Sequence, residues 1–143
     1  MTVAAILNEK GRNVVTVEGD LTLDRVCGVL AENRIGAAVI VDVGTGVQGI
    51  ISERDIVRIL ASEGSAALKQ PATSVMTRDV VTCGEEETIG SLMEKMTTGK
   101  FRHLPVIDNG RLTGIISIGD VVKRRIAEAE MDAQAMREYI AAG

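Results

Sequence analysis

The chain carries one stretch of sequence twice. Segment 13–42, NVVTVEGDLTLDRVCGVLAENRIGAAVIVD, lies over 79–108, DVVTCGEEETIGSLMEKMTTGKFRHLPVID, at a constant offset of 66. GIISERDIV (49–57) then lies over GIISIGDVV (114–122) at offset 65, so one residue is lost in the loop between. The two copies fill most of the 143 residues, and the fold must therefore be one unit used twice. A unit of roughly 45 residues cannot bury a stable core alone, so the copies have to pack on each other.

Each copy has the same internal order. The β-branched runs Val14–Val17 and Val80–Thr82 read as a short buried strand. A helix follows, with apolar residues Leu23, Val26, Cys27 and Leu30 in one copy and Ile89, Leu92, Met93 and Met96 in the other, the spacing of one buried helix face. Thr22 and Thr88 stand where a hydroxyl caps such a helix. Two more strands come next, 38–41 with 49–51 and 104–107 with 114–116; Asn109-Gly110 marks a tight hairpin in the second copy. A second helix closes the unit, from near Glu53 to Gly64 in the first copy and from near Gly119 through Met136 and Ile140 in the second, with Asp132 the place for a kink. The fold class is α/β (α+β): strand-helix-strand-strand-helix twice, packed through small sheets. We expect a first repeat over 1–63 that includes a helical segment at 2–8, a linker over 64–74 around Pro71, a second repeat over 75–128 and a helical extension over 129–143.

Composition excludes several functions. No apolar run approaches the roughly 20 residues of a membrane span, and no basic, apolar leader opens the chain, so a cytoplasmic address is expected. The net charge of −4 disfavours nucleic acid and anionic membranes as partners. Phe101 and Tyr139 are the only aromatic residues, too few for a base-stacking surface. Cys27 and Cys83 have no close-spaced partner, so neither a disulfide framework nor a metal site is expected. With one histidine, His103, and no paired nucleophile and base, the chain reads as a non-enzyme. Cys27 falls on the apolar stripe as a core residue, whereas Cys83, at a strand end, is expected to be partly exposed.

Tandem units that each end in G-h-h-S-x-x-D (h, hydrophobic), one of them carrying RHLPVID, resemble the cystathionine-β-synthase (CBS) domain pair, or Bateman module, over residues 7–128. The resemblance implies a pseudo-twofold pair with two clefts for an adenine-containing ligand: AMP, ADP, ATP, NAD or S-adenosylmethionine, with AMP, ATP or NAD foremost. It further implies a homodimer of such pairs, and a regulated protein that responds to the geometry of the dimer.

Asp55 and Asp120 end the two motifs at helix starts, where a carboxylate can accept from both ribose hydroxyls or simply cap its helix; recurrence at equivalent positions, taken with the resemblance, favours the first. Ser52 and Ser117 either cap or present a hydroxyl and backbone N–H groups to phosphate. Ile50 and Ile115 suit the faces of a purine. By the resemblance, one cleft takes Ser117 and Asp120 with Asn13, Val15, Ile35 and Gly36; the other takes Ser52, Arg54 and Asp55 with Asp79, Val81, Phe101 and Arg102. Val15 and Val81 would offer backbone groups to the adenine edge. Lys100, Arg102 and His103 together have a phosphate-binding composition, while Gly36 and Ala37 at the matching place carry no charge, so unequal clefts are expected. Arg54 is either a surface ion-pair partner or a further phosphate clamp, and Lys123-Arg124-Arg125 reads as a solvated face. A competing reading, carried by the uncharged first cleft and the long C-terminal helix, is a docking or dimerisation module with vestigial clefts.

Overall fold

The computed structural model describes residues 1–42 and 46–143, so the loop in which the repeat offset changes lies partly outside the described residues. Helix α1 (Val3–Lys10) precedes a first unit of β1 (Thr16–Glu18), α2 (Leu23–Asn33), β2 (Ala37–Asp42), β3 (Gly46–Ser52) and α3 (Glu53–Glu63). Two 3₁₀ turns, Gly64–Lys69 and Ala72–Ser74, lead to a second unit of α4 (Ile89–Gly99), β4 (His103–Asp108), β5 (Arg111–Ser117) and α5 (Ile118–Ala142). The units repeat in fine detail. Helices α2 and α4 both end on a left-handed residue, Arg34 (φ 54°) and Lys100 (φ 58°), which turns the chain into the next strand. Strand pairs β2–β3 and β4–β5 are antiparallel, each with a register shift at the same place, Ile40/Val41 and Val106/Ile107. Asn109 and Gly110 both take positive φ in the second hairpin, as their residue types favour.

One expected strand is nearly absent. In the first unit β1 runs parallel to β2, and Val39 N–H donates to the Val15 carbonyl at 3.2 Å. The residue equivalent to Val39 is Pro105, which has no N–H to offer Val81. Pairing over Val80–Thr82 is therefore lost, and a single parallel bridge remains, with Cys83 N–H on Pro105 O at 3.0 Å and Ile107 N–H on Cys83 O at 2.9 Å. That bridge buries Cys83 to 3% exposure, against the expectation of partial exposure, and burial pushes its thiol up to about 12. Cys27 and Met93 sit at the edges of their stripes and remain half-buried and exposed.

Each unit's core is closed by a segment from in front of the other. Val3, Ile6 and Leu7 of α1 join Ile89, Leu92, Met96, Leu104, Val106, Ile116 and Val121 of the second unit. Ala72 and Met76 join Leu23, Val26, Leu30, Ile40, Ile51 and Ile56 of the first. The N-terminal helix, grouped with the first repeat on sequence position, thus packs on the second, because its apolar face fills the groove beside β5. Backbone bonds mirror the exchange: Val3 N–H to Glu87 O (2.9 Å) and Ile89 N–H to Met1 O (3.2 Å), against Ala72 N–H to Leu21 O (2.8 Å) and Leu23 N–H to Gln70 O (3.0 Å). Close approach explains two glycines. A Cβ on Gly49 would meet Met76 Sδ at 2.6 Å and Thr77 O at 2.7 Å; on Gly114 it would meet the Leu7 side chain at 2.7 Å. Strands β3 and β5 touch, which joins the two sheets. Helix α5 runs unbroken through Asp132 and is exposed at every position from Ala129 onward. No helix among the described residues is long and apolar enough to cross a membrane.

Candidate functional site

The two Ser-x-x-Asp motifs form reciprocal caps. Asp55 N–H donates to Ser52 Oγ at 3.2 Å, while Ser52 N–H and Oγ–H donate to Asp55 Oδ2 at 2.9 and 3.0 Å. At the second helix Asp120 N–H reaches Ser117 Oγ at 3.2 Å and Ser117 N–H reaches Asp120 Oδ2 at 2.8 Å. Capping therefore consumes one carboxylate oxygen and fixes the rotamer. At Asp55 the other oxygen, Oδ1, accepts nothing among the described residues.

Asp55 faces a cleft of about 230 Å³ built from both units. Ile50, Val80 and Phe101 supply apolar lining, and a backbone pair ties the floor together: Ile50 N–H to Thr77 O at 3.0 Å and Thr77 N–H to Ile50 O at 2.8 Å. Four cations line the same space, Arg54 and Arg58 from α3 and Lys100 and Arg102 from the turn between α4 and β4, against Glu53, Asp55 and Asp79. The left-handed backbone at Lys100 brings this basic turn to the cleft. Arg58 is absent from the sequence-predicted set although it lies one turn after Arg54 on the same helix face, a spacing that could have found it. His103 also lines the cleft. Burial holds its imidazole below the usual histidine range, Lys10 and Arg102 push the same way, and Asp120 and Glu53 oppose them. Its surroundings favour the neutral imidazole, which can donate or accept a hydrogen bond in the cleft.

The structure thus brings together Ile50, Ser52, Arg54, Asp55, Asp79, Phe101, Arg102 and His103. Val81 lies just outside, half-buried against the second core, and its neighbour Val80 lines the cleft instead. Among the described cavities none gathers the set expected around Asp120. Asn13 is exposed, the Val15 carbonyl accepts from Val39 N–H, Ile35 packs on the first core, and Gly36 lines the cleft of Asp55, its carbonyl receiving Glu53 N–H at 2.9 Å. Lys10 Nζ donates to Asp120 Oδ2 at 2.6 Å and to the carbonyl of Ile115 at 2.8 Å. Burial opposes the Asp120 charge, but Lys10 and the Ser117 N–H outweigh it and hold the carboxyl below its ordinary value. What remains there is a cavity of about 150 Å³ between α1 and α5 that Ser117 and Ile115 do not line. Lys123 and Arg124, expected on a solvated face, line it, and Arg124 pairs with Glu9.

A duplicated scaffold with a capped carboxylate at the start of each closing helix, and a two-unit cleft beside one of them, defines a tandem-repeat module. The chain belongs to the CBS domain family, whose model matches residues 5–62 and 72–127. It is similar to the CBS-domain containing protein ATU1752 from Agrobacterium tumefaciens, at 49% identity and a TM-score of 0.85 over 87% of this chain and 99% of that one. The CBS domain protein PAE2072 from Pyrobaculum aerophilum, solved with AMP, is 29% identical, with a TM-score of 0.74 over 84% and 89% of the two chains. The CBS domain pair of protein MJ0100, solved with 5-methylthioadenosine and S-adenosyl-L-methionine, is 25% identical, with a TM-score of 0.79 over 90% and 98%. Among curated relatives the chain spans 73% of the length of one and as little as 22% of another.

Proposed function

We propose that the chain is a non-catalytic sensor that binds one adenosine phosphate in the cleft of Asp55. The observation that carries this reading is a carboxylate pinned at a helix start with Oδ1 unclaimed among the described residues, in a cleft that four cations and an apolar lining share. Asp55 accepts from the ribose hydroxyls. Ile50, Val80 and Phe101 hold the purine faces, and Arg54, Arg58, Lys100 and Arg102 clamp phosphate. A cationic S-adenosylmethionine suits this electrostatic setting less well than AMP, ADP or ATP, and a cavity of about 230 Å³ suits a mononucleotide better than NAD. No metal is invoked, because Arg54, Arg58, Lys100 and Arg102 can themselves pair with the phosphate oxygens.

The ligand's effect on a regulated protein would pass through pairing of two copies. Val57 and Val122, equivalent in the two units, are exposed on α3 and α5, as are Ile118 and Ile126, a surface suited to a homodimer. Two free cysteines fit a reducing compartment, in keeping with the cytoplasm. The alternative, a docking module without ligand, draws on the exposed Met131, Met136, Tyr139 and Ile140 of α5. Thermal unfolding against AMP, ADP, ATP, NAD and S-adenosylmethionine separates the two. A ligand at about 100 times its Kd adds about 2.7 kcal/mol. A midpoint that no nucleotide moves, in protein shown to be nucleotide-free, favours the docking module.

A further inference from the structure

We infer that Lys10 is a built-in occupant of the second cleft, which limits the chain to one adenosine ligand. The inference rests on the reading of the Asp55 cleft above. Residues 115 and 120 occupy the places in the second unit that 50 and 55 occupy in the first. In the first unit the Ile50 carbonyl is satisfied by Thr77 N–H at 2.8 Å, because the chain after the second 3₁₀ turn runs beside β3. The segment that covers the second unit is instead the helix α1, which cannot offer β5 an extended edge. Its last residue takes over: Lys10 Nζ satisfies Ile115 O at 2.8 Å and reaches on to Asp120 at 2.6 Å. A ribose seeking Asp120 would meet an ammonium already seated on the carboxylate.

The ammonium is held there by more than its own two bonds. Val3, Ile6 and Leu7 bury the apolar face of α1, Glu9 pairs with Arg124, and the amino terminus lies 3.7 Å from Glu128. These contacts deliver Nζ to one place, so little ordering cost opposes the pair. Lys10 and Asp120 side chains are 32% and 23% exposed, which leaves the pair partly shielded from water and from salt. Among the described residues the open cleft has no such internal cation on its carboxylate: Asp55 receives only its own cap there.

The test is the stoichiometry of AMP binding by isothermal titration calorimetry on the full chain, carried to about 100-fold above the first Kd. Wild type binds one AMP per chain; Lys10→Met, which retains the aliphatic stem, binds two; and the Lys10→Met, Asp120→Asn double variant returns to one. Lys10→Gln, which retains a donor for the Ile115 carbonyl, serves if Lys10→Met fails to fold, and gives two. A folded Lys10 variant that still binds one overturns the inference and leaves the Asp55 reading intact. Wild type that binds two also overturns it, the more so if Lys10→Met then binds one, since Lys10 would be a ligand-binding group. If wild type binds none, the Asp55 reading fails; binding of one by Lys10→Met then still supports the occupied cleft, and binding of none overturns both.

Discussion

Replacing Asp55 with asparagine separates the capping role of the carboxylate from its proposed role toward ribose. The amide oxygen still accepts from Ser52 N–H, now 2.9 Å from Oδ2, so the cap survives and only the favourable charge at the helix start is lost. That charge is worth about 0.3–1 kcal/mol. With an unfolding entropy near 0.3 kcal/mol/K for 143 residues, the free protein should melt about 1–3 °C lower. Binding suffers more. A hydrogen bond to a charged acceptor contributes about 1.5–3 kcal/mol, and loss of about 2 kcal/mol weakens AMP about 30-fold. At an AMP concentration about 100 times the wild-type Kd, ligand stabilisation falls from about 2.7 to about 0.9 kcal/mol, a midpoint rise of about 3 °C instead of about 9 °C. Differential scanning fluorimetry with and without AMP reads both numbers on one plate. An Asp55→Asn protein whose AMP-dependent rise equals that of wild type would refute the assignment, because the carboxylate would then be a cap alone.

Three further outcomes follow from the architecture. Leu7→Ala, in a side chain with no exposed surface, should cost about 3 kcal/mol and about 10 °C, in a single transition reported equally by probes in both units; two separated transitions would contradict the shared cores. Pro105→Val should restore a donor for the Val81 carbonyl, seen as a slowly exchanging amide at position 105 by NMR; the added bond and the lost proline rigidity offset each other, so net stability should move by less than about 1 kcal/mol. Acid should destabilise in two stages. His103 is held below its ordinary 6.5 in the folded chain, so as pH falls through 6.5 the unfolded chain takes up a proton that the folded one refuses, and stability drops. Asp120 is held below 3.8, so its contribution is present above that pH and is lost as pH falls through the folded value. A His103→Gln protein should lack the upper stage in a melting series from pH 8 to 5, and an unchanged series would show that another group is responsible.

The features legible in the sequence are those settled within a few residues. Ser52 to Asp55 and Ser117 to Asp120 announce a reciprocal cap by spacing alone, and the repeat offset doubles every inference drawn from one copy. The basic turn at Lys100 to His103 was visible as composition, and its meeting with α3 followed from the resemblance to paired repeats. What stayed hidden depends on chain separation. Lys10 and Asp120 are 110 residues apart, and nothing local to either shows that α1 docks on the far unit. Cys83 was misjudged because exposure at a strand end depends on which strand survives, and that turned on Pro105. The proline stands openly in the sequence; its consequence for Val81 follows only from its equivalence to Val39, whose N–H meets the Val15 carbonyl.

The exchange of covering segments bears on how such a chain can change over time. A duplication can in principle be undone by deletion of one copy. Here α1 roofs the second unit and Ala72 and Met76 roof the first, so removing either copy strips the survivor of its cover. Copy number is frozen by mutual shelter. The exposed rims are under no such bond, and there one copy has Arg54 where the other has Gly119 and receives a lysine from outside its own repeat.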